Sequence, residues 1–238
     1  MEMFDSSTQS HSPLDHPHLV GQSTLREQCR SILASGRLGH AYLFAGAKGT
    51  GTLALALAFA EAIQGGQRSW FHHPDIHVFL PEPTSFSDGA RKERLEKLHQ
   101  DPYVFDHEGA PVQGDSKDQE RSNLRSFYSI GQFREQIKPV TVLRPNTADR
   151  LVVVLHDIHT MRAESANAFL KLLEEPPKDV LFLLTTPSTD TLMPTILSRC
   201  QVLRLKPCTQ QEIIETLVTE GRPLEDAQLA AQLSNGQV

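Results

Sequence analysis

Three runs of the chain are apolar at nearly every position: Ala41-Tyr42-Leu43-Phe44-Ala45, Leu151-Val152-Val153-Val154-Leu155 and residues 180–185. A strand with one wet face alternates polar and apolar residues. A strand apolar throughout is buried on both faces, the condition of a parallel sheet covered by helices on each side. The intervening segments read as helices and shorter strands. Ser23 is placed to cap a helix running to about Gly36, and 53–63 is rich in alanine and leucine. A helix carrying Phe169, Leu170, Leu172 and Leu173 must end before Pro176-Pro177. Residues 75–80 and 202–205 read as strands, 131–137 and 191–197 as short helices. This alternation predicts an α/β fold with a doubly wound parallel sheet over 19–207. Beyond Pro207 the pattern is all helical, with Thr209 capping one helix and Pro223 opening another, so 208–238 reads as the start of a small all-helical domain. Residues 1–18 read as a flexible tail, and 82–128 as a surface insertion with one charged helical stretch at 91–99 and no core periodicity.

The first strand runs straight into Gly46-Ala47-Lys48-Gly49-Thr50-Gly51-Thr52-Leu53. A phosphate-binding loop follows the pattern G-x-x-x-x-G-K-[ST] after a strand and at the start of a helix. Gly46 and Gly51 hold their places, but Thr52 stands where lysine should meet the outer phosphates, and Leu53 where a hydroxyl should ligate magnesium. Gly46, Gly49, Gly51 and Thr52 are the candidate nucleotide-binding positions. Their backbone could still cradle an anion, or the glycines could serve only the strand-to-helix turn. Lys48, at an outward-pointing position, is a poor substitute for the missing lysine.

Composition narrows the class. A formal charge of −6 argues against a general nucleic-acid-coating surface. The three cysteines, Cys29, Cys200 and Cys208, form no C-x-x-C pair, which favours a reducing cytoplasm over a disulfide scaffold. No apolar run approaches a membrane span and the N-terminus lacks a secretory core, so a cytoplasmic location and no membrane partner are expected. His72, His73 and His77 could be imagined on a metal, but adjacent loop histidines are ordinarily solvated and no metal site is expected.

Three segments, taken in order, carry a resemblance. They are Gly39-His40-Ala41-Tyr42-Leu43-Phe44-Ala45-Gly46 with its loop, Ser165-Ala166-Asn167-Ala168-Phe169-Leu170-Lys171-Leu172-Leu173-Glu174-Glu175-Pro176-Pro177, and Leu183-Leu184-Thr185-Thr186 running on to Ser198-Arg199-Cys200. Together they resemble the clamp-loader subunits of bacterial DNA polymerase III, members of the AAA+ ATPase superfamily. The resemblance covers about residues 19–81 and 130–236.

In hydrolysing members of that family, the strand before the A-N-A helix ends in Asp-Glu, which holds magnesium and polarises water. Here the corner reads Leu155-His156-Asp157-Ile158-His159, with His156 on the aspartate position and Asp157 on the glutamate position. The polar sensor after the fourth strand is altered by Pro187. These losses resemble the delta prime branch, which keeps the fold without being an ATPase. The resemblance implies that Arg199 is a catalytic residue in trans, an arginine finger entering a neighbouring subunit's ATP site. Its bland alternative is a helix-end arginine neutralising carbonyls. Further implications are partnership with ATPase subunits and a delta subunit, with the sliding clamp indirectly, and with primed DNA through the complex. No cofactor of its own is implied, ATP being bound by the neighbours. Polymerase (nucleotidyltransferase) chemistry would come only by membership of the complex. The family's four-cysteine zinc module is absent from 64–73. His40 and Val20-Gly21-Gln22 fall where the family's adenine pocket lies, and the helix bearing Lys171, Glu174 and Glu175 falls near a subunit interface. Either the sequence is a fragment or the family's collar domain has been lost. Two rival readings remain: a subunit that binds or hydrolyses ATP through a rewired site, and a diverged protein-binding module.

Overall fold

The computed structural model describes residues 12–16, 19–66, 73–83, 87–103 and 126–237. The tail expected at 1–18 and the middle of the 82–128 segment lie largely outside them.

Five parallel strands form one sheet: β1 (Ala41–Ala45), β2 (Ile76–Phe79), β3 (Leu151–Leu155), β4 (Val180–Thr186) and β5 (Gln201–Arg204), in the spatial order β2-β3-β4-β1-β5. The three apolar runs are the three inner strands, and every residue of each is buried. The edge strands β2 and β5 are only partly buried, as their mixed sequences demand. Sheet order reverses around β1 and β4, so the C-terminal end of β1 opens on the crevice where such folds bind ligands.

Two packed layers sandwich the sheet. One contains α1 (Ser23–Ala34) and α2 (Thr52–Ile63), with Phe59 set edge-on to Tyr42 and Phe44. The other contains α4 (residues 130–140) and α5 (Ala163–Glu174), where Phe133, Phe169 and Phe182 form an edge-to-face chain with centroid spacings of 6.4 and 5.3 Å. Within α4 a π-turn at Phe133–Ile137 precedes Pro139, whose ring and missing N–H disturb the ordinary helical ladder. After a single turn, α6 (Pro194–Leu197), and then β5, the chain ends in two helices, α7 (Gln210–Thr219) and α8 (Leu224–Leu233). Thr209 and Glu212 form a full capping box on α7. These helices close a small cluster of Val20, Cys208, Ile213 and Ala231.

The structure corrects some local expectations. Gln22, in the left-handed region, is the N-cap of α1, and Ser23 is its first helical residue. The helix expected at 191–197 begins at Pro194, because Thr189–Thr191 form a separate 3-10 turn. In the 82–128 segment the charged stretch is a longer helix, α3 (Asp88–Gln100), and its Leu98 is fully buried in the main core. That segment therefore contributes to the core as well as to the surface.

Candidate functional site

The glycine loop follows β1 as expected. Gly46 N–H donates to Thr186 O (3.1 Å) and the Thr50 hydroxyl donates to Ala47 O (2.7 Å), drawing the loop against the end of β4. Gly49 (φ +77°) and Gly51 (φ +79°) lie in the left-handed region, where a side chain would be strained, and Gly51 is the N-cap of α2. Lys48 is exposed, consistent with its outward position. Thr52 is buried at the first turn of α2, and Leu53 is fully buried in the main core. Leu53 offers magnesium no oxygen, and its side chain is committed to packing.

The His156 corner is equally committed. The His156 ring is buried, and its Nδ1 lies 2.8 Å from the Thr185 hydroxyl, which also accepts the Asp157 N–H (3.0 Å). Burial pushes the His156 pKa down, outweighing the opposing pull of the Asp157 charge, and burial does the same to His159. Both imidazoles are therefore neutral near pH 7. A neutral nitrogen is a poor ligand for a hard cation that prefers oxygen. Asp157 is held in the left-handed region (φ +54°), with one carboxylate oxygen 3.7 Å from His156 Nε2 and the other 3.7 Å from His159 Nδ1. Tyr128 fastens this corner from behind. Its buried hydroxyl lies 2.7 Å from the carbonyls of Phe79 and His156, ready to donate to either. Among the described residues, no group of three or more His, Cys, Asp and Glu side chains could hold a metal ion. His73 Nδ1 accepts the Asp75 N–H (3.1 Å) and so serves a turn; His72 lies outside the described residues. The loop and this corner do not fit a magnesium nucleotide held in the usual way.

Arg199 is placed differently. It follows α6, is half-buried, and its guanidinium is braced on its own chain. Nη2 pairs with Glu174 Oε1 (3.0 Å) and Nη1 donates to Thr195 O (2.9 Å). Strand register locates it relative to the loop. Tyr42 pairs with Gln201, the first residue of β5, and Arg199 comes before it in the turn after α6, on the side of the sheet where β1 begins. The loop begins at Gly46, four residues beyond Tyr42 and so about 13 Å along the strand direction from Gln201, farther than an arginine side chain reaches. Arg199 cannot serve its own chain's loop. Cys200 is half-buried, and burial pushes its thiol up to about 12. Lys171 and Glu175 are exposed.

Sequence reasoning singled out both Arg199 and Glu174 but not their pairing, since they lie on different elements. It also passed over Tyr103, which follows α3 and packs on the glycine loop: a Cβ added to Gly51 would lie 2.8 Å from the Tyr103 ring.

A family model described as "DNA polymerase III, delta subunit" matches residues 21–209. The DNA polymerase III subunit delta' of Bacillus subtilis (strain 168) is 28% identical over 213 residues, covering 84% of this chain and 52% of that protein. The tau/gamma subunit of Haemophilus influenzae is 28% identical over 232 residues, covering 95% of this chain and 30% of that protein. The chain thus spans about half, or less, of the length of these curated relatives. Among solved structures, a gamma subunit-related protein of Thermotoga maritima superposes with a TM-score of 0.51 at 22% identity, covering 88% of this chain and 57% of that one. The Thermotoga maritima RuvB Holliday junction branch migration motor gives 0.55 at 16% identity, with 92% and 58% covered. At such identities these likenesses speak for the fold alone, and the fold is the α/β AAA+ one.

Proposed function

Because the chain belongs to the DNA polymerase III delta subunit family, we propose that it acts as a delta prime-like clamp-loader subunit that does not hydrolyse ATP and lends Arg199 to a neighbour. The observation that carries this reading is the separation of Arg199 from the chain's own loop: the neighbouring Gln201 is already about 13 Å from it along β1. A guanidinium that cannot reach its own phosphate loop, yet stands half-exposed beside the A-N-A helix, is suited to a site completed by a second subunit. There it would stabilise charge developing on the transferred phosphoryl group.

Two features of its own site support the absence of turnover. Leu53 is locked into the core, and His156 is a buried neutral imidazole bonded to Thr185. Neither offers magnesium an oxygen. The rigid sheet would then be a wall against which ATPase neighbours move as they open the sliding clamp on primed DNA. The expected partners are clamp-loader ATPase subunits and a delta subunit, and the expected compartment is the cytoplasm. Among the described residues, no helix is long and apolar enough to cross a membrane.

The test is co-purification of this chain with clamp-loader ATPase subunits and the clamp, beside a turnover assay of the chain alone with magnesium ATP. Stoichiometric assembly without intrinsic turnover is expected. Steady phosphate release by the purified chain, abolished by Asp157→Asn, would overturn the reading.

A further inference from the structure

The loop that fits a nucleotide poorly is also covered, and the cover comes from the chain itself. Gly49, Thr50, Gly51, Thr52 and Leu53 are all buried. Tyr103 is wedged against Gly51, where an added Cβ would meet its ring at 2.8 Å, and Gln237 lies against Gly49, where an added Cβ would meet its side chain at 2.6 Å. The Tyr103 hydroxyl accepts the Val20 N–H (3.1 Å), while its ring packs on both the main core and the cluster under α7 and α8. One aromatic ring thus bridges the loop, the segment before α1 and the C-terminal helices.

The ring is firmly delivered. Leu98 anchors α3 in the core, Arg91 forms a forked ion pair with Glu82 (2.6 and 3.0 Å), Arg94 donates to Pro81 O (2.9 Å), and Asp101 accepts the Tyr103 N–H (2.8 Å).

We infer that Tyr103 is a built-in occupant of the base position of a nucleotide groove, and that it keeps adenine nucleotides out. The ring stands beside the N-terminus of α2, and the main-chain N–H at Val20 that now meets its phenol oxygen would equally meet the ring nitrogen of a flat base. A ligand that must wait for the ring to leave binds with its affinity reduced by the fraction of molecules in which the ring is out. The inference rests on the family reading for the kind of ligand. It adds that exclusion is a steric device carried by α3 as well as a loss of phosphate chemistry.

The test is ADP binding without magnesium, by equilibrium dialysis and thermal shift, to wild type, Tyr103→Ala and Tyr103→Phe, with circular dichroism to confirm folding. Tyr103→Ala should bind ADP at least about ten-fold more tightly than wild type, an effect corresponding to a ring displaced about a tenth of the time or less. Tyr103→Phe, which keeps the ring, should stay near wild type. Equal affinity of wild type and Tyr103→Ala, absence of binding to both, or a Tyr103→Phe variant as open as Tyr103→Ala would each overturn the inference. Hydrolysis is read separately. A Tyr103→Ala chain that binds ADP and still fails to hydrolyse ATP leaves the proposed function standing; equal ADP affinity of wild type and Tyr103→Ala sinks the inference and not that function, while steady turnover by purified wild type would sink both.

Discussion

Replacing Arg199 by alanine separates a structural from a catalytic role, because the two predict effects of very different size. The structural cost can be summed from its contacts. The pair with Glu174 joins side chains that are 34% and 45% exposed, and a pair that wet contributes about 0–1 kcal/mol. The bond to Thr195 O is also exposed and adds about 0.5 kcal/mol, the low end for a hydrogen bond. A total near 1 kcal/mol lowers Tm by about 2–4 °C in a chain of this size. An arginine finger in trans is worth about 10³–10⁵ in rate, or about 4–7 kcal/mol of barrier. The expected result is therefore a folded, assembling Arg199→Ala subunit and a neighbouring ATP site slowed by three orders of magnitude or more.

The assay is single-turnover phosphate release from a reconstituted loader whose only intact ATP site is the one facing Arg199, with assembly followed by gel filtration. Glu174→Ala is the control. It removes the same ion pair, leaves the guanidinium in place, and should cost similar stability while keeping the rate within about ten-fold. Arg199→Lys should fail almost as badly as alanine, since an ammonium lacks the planar fork. An unchanged rate in a fully assembled Arg199→Ala complex refutes the trans role. So does a rate loss that Glu174→Ala reproduces in full.

Three further outcomes follow from the packing. Burial holds His77, His156 and His159 below the ordinary histidine value of 6.5; their neutral forms are favoured only when folded, so the unfolded chain binds more protons below that pH. Stability should be full above pH 6.5 and fall as pH drops below it, and His156→Gln should flatten a Tm-against-pH curve between pH 7 and 5. A wild-type curve without that slope refutes the assignment. Burial raises the Asp75 carboxyl, but it accepts the N–H groups of Asn146, Thr147 and Ala148 and the Thr147 hydroxyl, and these hold it below the usual value. Asp75→Ala leaves that loop unsatisfied, costing about 3 kcal/mol and lowering Tm by about 6–12 °C; a shift under about 2 °C contradicts the anchoring role. Phe169, fully buried between Phe133 and Phe182, should cost about 3–5 kcal/mol on Phe169→Ala by urea unfolding. A loss below about 1 kcal/mol would mean that the site collapses freely.

The sheet was legible because its information is local. Three uninterrupted apolar runs can be satisfied only as inner strands, and their burial needs no knowledge of distant partners. Helix ends were less legible. Ser23 is a good cap residue, yet the backbone turns one residue earlier through Gln22 in the left-handed region, a choice made by the packing of 19–22 and not by propensity. Helix α3 carries its charges around nearly its whole circumference, so its two core contacts, the fully buried Leu98 and the partly buried Leu95, gave no periodic signal. Its role emerges only when Leu98 is found in the main core.

The same division runs through the functional residues. Motif reading sees what is missing at a position, such as the lysine replaced by Thr52, the oxygen ligand replaced by Leu53 and the carboxylate replaced by His156. It cannot see what has taken the vacated role, because the replacement comes from elsewhere in the chain. Thr185 satisfies His156 across 29 residues, Glu174 braces Arg199 across 25, and Tyr103 reaches Val20 across 83. Each is a contact between side chains or amides brought together by the parallel sheet and its crossovers. A loop that had merely lost its lysine would keep an open crevice at the end of β1. This loop is covered instead, while the arginine at the opposite end of the strand remains half-exposed. Loss at one end and availability at the other are what a subunit needs if it completes a neighbour's site without running its own.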